Sequence, residues 1–106
     1  MADTLILEQG KPSAGTRELL FTADGPTVLS SLRACNVGRV TDYARIARVF
    51  GSEAEKDEQY LAFDVPIPPG QPYAITEGVT LDLGDSIYVQ SRRGSTSFNV
   101  SGAQRA

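Results

Sequence analysis

Val79-Thr80-Leu81-Asp82-Leu83-Gly84-Asp85-Ser86-Ile87-Tyr88-Val89-Gln90-Ser91-Arg92-Arg93-Gly94-Ser95-Thr96-Ser97-Phe98-Asn99-Val100-Ser101 is the stretch that decides the fold class. Apolar residues recur here at every second position: Val79, Leu81 and Leu83, then Ile87 and Val89, then Phe98 and Val100. Successive side chains leave a β-strand on opposite sides, so a period of two marks strands with one covered face. Gly84-Asp85 and Gly94-Ser95 interrupt the pattern with residues that suit turns. On this reading Asp82 and Asp85 bond local backbone in a turn, and Arg92-Arg93 lies near a hairpin tip.

The same grammar extends in both directions. Further turn signals fall at 10–15, Asp24-Gly25-Pro26, Gly38, Gly51 and Pro68-Pro69-Gly70. Between the signals lie strand-like runs at 4–8, 17–22, 27–37, 59–65, 73–83, 86–91 and 96–101. Leu61, Phe63 and Val65 are expected to share one face, and Leu81, Ile87, Val89, Phe98 and Val100 to form core. Alternation of this kind implies antiparallel sheets covered on one side. The expected fold is all-β, an antiparallel β-sandwich of jelly-roll or immunoglobulin-like type with seven to eight strands. Residues 17–106 would form the sandwich, and residues 1–16 an N-terminal strand or arm.

Residues 41–50 read differently. Tyr43, Ile46, Ala47 and Phe50 satisfy the helical i, i+3, i+4, i+7 template, with Thr41 as a cap and Gly51 as a stop. As a strand the segment alternates poorly and puts Arg45 and Arg48 on opposite faces. Periodicity alone favours a helix here.

Composition bounds the chemistry. The chain has 106 residues, enough for one domain, with 41% apolar and 22% charged residues and a net charge of −3. That balance gives no basic footprint for nucleic acid. Histidine is absent and Cys35 is the single cysteine, which removes the commonest general base and the usual zinc ligands. Cys35 can form no intramolecular disulfide and is expected as a small buried group. No glycine-rich nucleotide fingerprint occurs. No catalytic, cofactor-binding or metal-binding residues are assigned, and the protein is not expected to be an enzyme. The first residues lack the pattern of a signal peptide, and no apolar run reaches membrane-spanning length. A soluble protein made in a reducing compartment is expected.

Charge is unevenly placed. Arg33, Arg39, Arg45 and Arg48 lie in a stretch whose single acid is Asp42, and Glu53, Glu55, Asp57, Glu58 and Asp64 follow against Lys56 alone. Copies could meet with complementary potential, Arg45 or Arg48 of one against Glu53, Glu55 or Asp57 of the next. Leu5 and Leu7 are candidate contacts of an arm laid on a neighbour's sheet edge.

Taken in order, several segments resemble a group of small virion-associated proteins of tailed bacteriophages. They are Leu29-Ser30-Ser31-Leu32-Arg33-Ala34-Cys35-Asn36, Tyr60-Leu61-Ala62-Phe63-Asp64-Val65-Pro66-Ile67, Gly78-Val79-Thr80-Leu81-Asp82-Leu83-Gly84-Asp85 with Ile87-Tyr88-Val89, and Ser97-Phe98-Asn99-Val100-Ser101-Gly102. The quoted segments run from Leu29 to Gly102, and the resemblance covers roughly residues 17–102. The resemblance implies a non-enzymatic β-sandwich module present in many copies, in the tail or on the capsid surface, assembled in the host cytoplasm. Its partners would be copies of itself and other virion proteins, with no nucleic acid and no membrane. It also implies a strand, not a helix, at 41–50. The alternative is a carbohydrate- or receptor-binding sandwich that touches a host-surface glycan. Tyr43, Tyr60, Tyr73 and Tyr88 discriminate: clustered on one outer face they favour binding, and scattered they favour the structural role.

Overall fold

The computed structural model describes residues 4–51, 57–76 and 78–104, and of residues 4–6 and 57 the backbone alone. The described residues form nine strands: β1 (Thr4–Gly10), β2 (Glu18–Thr22), β3 (Thr27–Asn36), β4 (Asp42–Val49), β5 (Tyr60–Ile67), β6 (Pro72–Ile75), β7 (Val79–Leu81), β8 (Ser86–Ser91) and β9 (Thr96–Gln104). One sheet has the order β1-β9-β3-β6, with β7 also on β3, and the other β2-β8-β4-β5. All these pairings are antiparallel. The fold is the expected all-β sandwich, with nine strands in place of seven to eight.

Its core is where the two inner faces meet. Leu29, Leu32, Ala34, Phe98, Val100, Val79 and Leu81 come from the first sheet, and Phe21, Ala44, Ile46, Ala62, Ile67, Ile87 and Val89 from the second. The five residues expected inside are all buried. Fully burying side chains of this size stabilises the fold by about 1.5–3 kcal/mol each. Gly102 is required where β9 meets β3, since a Cβ there would sit 2.2 Å from the carbonyl oxygen of Val28. The pairing of β3 and β9 shifts register at this point, between Leu29 and Ser31.

Several local expectations are corrected. Within residues 41–50 the chain forms a strand, β4, as the resemblance implies and against the helix that periodicity alone favours. The strand is central and covered on both sides: Ala44 and Ile46 enter the core, while Ala47 is buried on the other face among Arg17, Tyr60 and Tyr88. Burial on both faces erases alternation. The run 73–83 is two strands in one pass, parted at Gly78, which adopts a φ of 82°. Leu83 lies in the following turn and is 69% exposed.

Phe63 does not share a face with Leu61 and Val65. Two residues of β5, Phe63 and Asp64, stand opposite the single Arg45 of β4, so the strand bulges there. Asp64 takes a φ of 51°, and Phe63 turns outward while Leu61 and Val65 pack on the core. Cys35 is half-buried, not buried. Arg92-Arg93 lies on no hairpin tip, because β8 and β9 belong to different sheets.

Candidate functional site

Each pass of the chain runs the length of the sandwich and the next runs back, so alternate connections share an end. The connections 11–17, 37–41, 68–71 and 92–95 gather at one end, joined through Gly15 N–H to Ser91 O, Val37 N–H to Ser95 O and Gly70 N–H to Asn36 O. They contain Lys11, Arg17, Arg39, Arg92 and Arg93 and no acidic residue.

Two buried polar side chains tie this basic end together. Asn36, with no exposed surface, donates through Nδ2 to the carbonyl oxygens of Val40 (2.7 Å) and Ile67 (2.9 Å) and accepts from Gly38 N–H (2.8 Å). Asp42, also fully buried, accepts from the Ser91 hydroxyl, the Thr96 hydroxyl (2.6 Å), Tyr43 N–H (2.8 Å), Arg93 N–H (2.8 Å) and, as the longest contact, the Ser95 hydroxyl (3.4 Å). Burial by itself raises the pKa of Asp42, but the first four donors outweigh it and lower the value to about 2. Asp42 is therefore a carboxylate at neutral pH, and its donors leave it a structural anchor. The loops close tightly: a Cβ on Gly94, whose φ is 75°, would lie 2.8 Å from Ala14 N.

At the opposite end lie the connections 23–26 and 82–85, with residues 50, 51 and 57–59. Ala23 N–H donates to Asp85 O and Gly84 N–H to Ala23 O. The carboxylate of Asp85 accepts from Gly51 N–H (3.0 Å) and Asp82 N–H (2.9 Å). This is the turn expected at 82–85. Asp24, Glu58 and Asp82 are exposed here, with Leu83 and Phe50 beside them.

The outer face of the four-stranded sheet carries a third cluster. Tyr43, Tyr60 and Tyr88 lie on this sheet, each half-buried, while Tyr73 belongs to the other sheet. Clustering of three tyrosines is the arrangement that favours binding, but the rings are largely covered. Arg17 lies over Tyr88 (3.6 Å), Arg92 over Tyr43 (4.3 Å) and Arg45 over Phe63 (4.2 Å). Phe63 meets Tyr60 edge-on at 4.8 Å.

The residues singled out from sequence are dispersed. Arg45 is gripped within its own chain by Asp64, Nε to Oδ1 at 2.7 Å and Nη2 to Oδ2 at 3.2 Å. That contact raises the pKa of Arg45 and lowers that of Asp64. Arg48 reaches the other sheet, Nη1 to the carbonyl oxygen of Thr80 at 3.4 Å, with its Nε buried and without a hydrogen-bond partner. Leu7 is exposed on β1, at the edge of the five-stranded sheet, and Leu5 stands opposite Ala103 in the same pairing. Asp57 opens the short 3-10 turn Asp57–Gln59. Glu53 and Glu55 lie outside the described residues.

Sequence reasoning missed Asp42, Asn36 and the gathering of basic connections. One signal was present: Asp42 is the lone acid among the arginines of 33–48. Among the described residues no group of His, Cys, Asp and Glu could hold a metal ion, and no helix is long and apolar enough to cross a membrane. No protein-family model, curated protein or solved structure matches this chain.

Proposed function

We propose that the chain is a non-enzymatic structural module of a tailed-bacteriophage virion, present in many copies and working through subunit contacts in the tail or on the capsid surface. The observation that carries this reading is the build of the basic end. Asp42 and Asn36 lock connections 37–41 and 92–95 to each other's strands and to the end of β5, and backbone bonds from Gly15 and Gly70 add 11–17 and 68–71, giving one cap that presents Val37, Arg39 and Val40 to solvent. A preorganised cap suits a repeated contact, because little order remains to be imposed on binding. The ordered resemblance of residues 17–102 supplies the virion setting.

Glycan recognition is the second reading, favoured by the tyrosine cluster. It is the weaker one because a guanidinium already lies on the faces of Tyr43 and Tyr88, where a sugar ring would stack. Tagged copies located by electron microscopy in purified particles test the first reading. Label repeated at fixed positions on tail or capsid is expected, and particles devoid of the protein would remove the proposal. Glycan binding abolished by Tyr88→Ala would instead establish the second.

A further inference from the structure

We infer that copies of this chain associate head to tail, the basic end of one against the acidic end of the next. The inference rests on the multi-copy reading above and adds the surface, the partner and the polarity of the contact.

The two ends are chemically complementary. The basic connections carry Lys11, Arg39, Arg92 and Arg93, all exposed, and no acid. The described residues of the opposite connections carry Asp24, Glu58 and Asp82, all exposed, and no base. Residues 52–56, which hold Glu53, Glu55 and Lys56, lie outside the described residues and are not needed for the contrast. Each end also exposes large hydrophobics beside its charges: Val37 (64%) and Val40 (54%) flank Arg39, and Leu83 (69%) follows Asp82, while Phe50 (41%) nearby has the Arg48 guanidinium over its ring at 4.8 Å. Apolar tips ringed by charge of opposite sign are what an interface with an apolar centre and a polar rim requires.

The occupant is a second copy because both halves of the contact are on one chain, at opposite ends of its 45 Å long axis. A contact between unlike surfaces repeats, closing into a ring or running on as a filament. The end face is bounded by the 27 × 21 Å cross-section. A single contact therefore belongs with small, weak interfaces, below about 1,200 Å² in total, and gains strength by repetition along the assembly.

Sedimentation of the purified full chain, at increasing concentration, tests this. Association is expected at about 0.01 M salt and dissociation to monomer at about 1 M, as the screening length shrinks from about 30 Å to about 3 Å. A variant with Arg39→Glu and Arg93→Glu cancels the positive charge of its basic end and keeps its acidic end, and one with Asp24→Lys and Asp82→Lys cancels the negative charge of its acidic end and keeps its basic end. Each alone should stay monomeric, and an equimolar mixture should associate again, since each presents what the other lacks. Circular dichroism checks the fold of both. Arg39→Glu alone, at an exposed site, replaces the first variant should the double change unfold it. A wild-type chain monomeric at every concentration and salt overturns the inference, as does association untouched by either reversal or a mixture that stays monomeric. If only acidic partners other than this chain bind the basic end, the self-contact is likewise overturned. Presence of the protein in particles is scored separately, so loss of this contact leaves the virion reading standing.

Discussion

At both ends of the sandwich an aspartate ties connections together, yet the two are held differently. Asp42 has no exposed surface and meets five donors, the Ser95 hydroxyl at 3.4 Å being the longest, beneath a cap rich in arginine. Asp85 keeps 8% of its surface and meets two backbone donors, with Asp24, Glu58 and Asp82 on the same end. The first carboxylate is held by its hydrogen-bond donors, and the second sits on an end that carries other acids. The basic end is thus a rigid cap tied to a buried carboxylate, while the acidic end relies on turn geometry. For a head-to-tail contact the rigid surface sets the orientation and the looser one adapts.

Removing each anchor is the strongest way to break that contrast. Asp42→Ala strands two buried hydroxyls and two backbone N–H groups and should cost about 3–5 kcal/mol. Asp85→Ala should cost about 1–2 kcal/mol, since solvent can reach part of what it bonds. Equal losses in urea unfolding would mean that the ends are equally built.

Backbone room sharpens the comparison next. Gly94→Ala meets a φ of 75° and a backbone nitrogen 2.8 Å away, so about 2–3 kcal/mol should be lost. Gly84→Ala at a φ of 87° meets nothing closer than 3.9 Å, and about 1 kcal/mol is expected. Thermal melts of the pair measure the difference in looseness directly.

Acid should act on the basic end in a defined window. The folded pKa of Asp42, about 2, lies below the ordinary value of 3.8. A depressed pKa stabilises the fold above the unfolded value, and that stability is lost as pH falls through the folded one. About 2 kcal/mol should therefore disappear between roughly pH 5 and pH 2. Asp42→Asn should lower stability at neutral pH and flatten that limb of a pH–stability curve. An unchanged limb would place the titration elsewhere.

The smallest effect is expected on the rim. Arg92 is 57% exposed, lies over Tyr43 and stands 3.9 Å from Asp64. Arg92→Ala should cost about 0.5–1 kcal/mol of stability. A loss comparable to that of Asp42→Ala would shift the anchoring from the buried carboxylate to the surface stack.

Much of the fold was legible in local pattern. Ile87, Val89, Phe98 and Val100 alternate because one face of their strands meets the core, and Gly84 and Gly94 stop strands where the backbone turns with positive φ. Residues 41–50 misled because Ala47 is buried on the face opposite to Ile46. Phe63 misled because a bulge is set by pairing with β4, not by its own neighbours. Of the site, the charges were visible in sequence but not their grouping. Arg45 and Arg48 drew attention as neighbours, while Arg39, Arg92 and Arg93 share an end only through the antiparallel alternation of passes.

The sequence by itself determined the strand period, the turn positions and the charge of every connection, since these depend on residues a few positions apart. Side-chain direction, rotamer freedom and turn chemistry act over that range. Tertiary structure alone decided which connections meet, that Asp42 is enclosed, and that guanidinium groups lie over Tyr43 and Tyr88. Those outcomes join residues as distant as Asp42 and Thr96. They arise when two sheets close on a shared core, an event no short window of sequence contains.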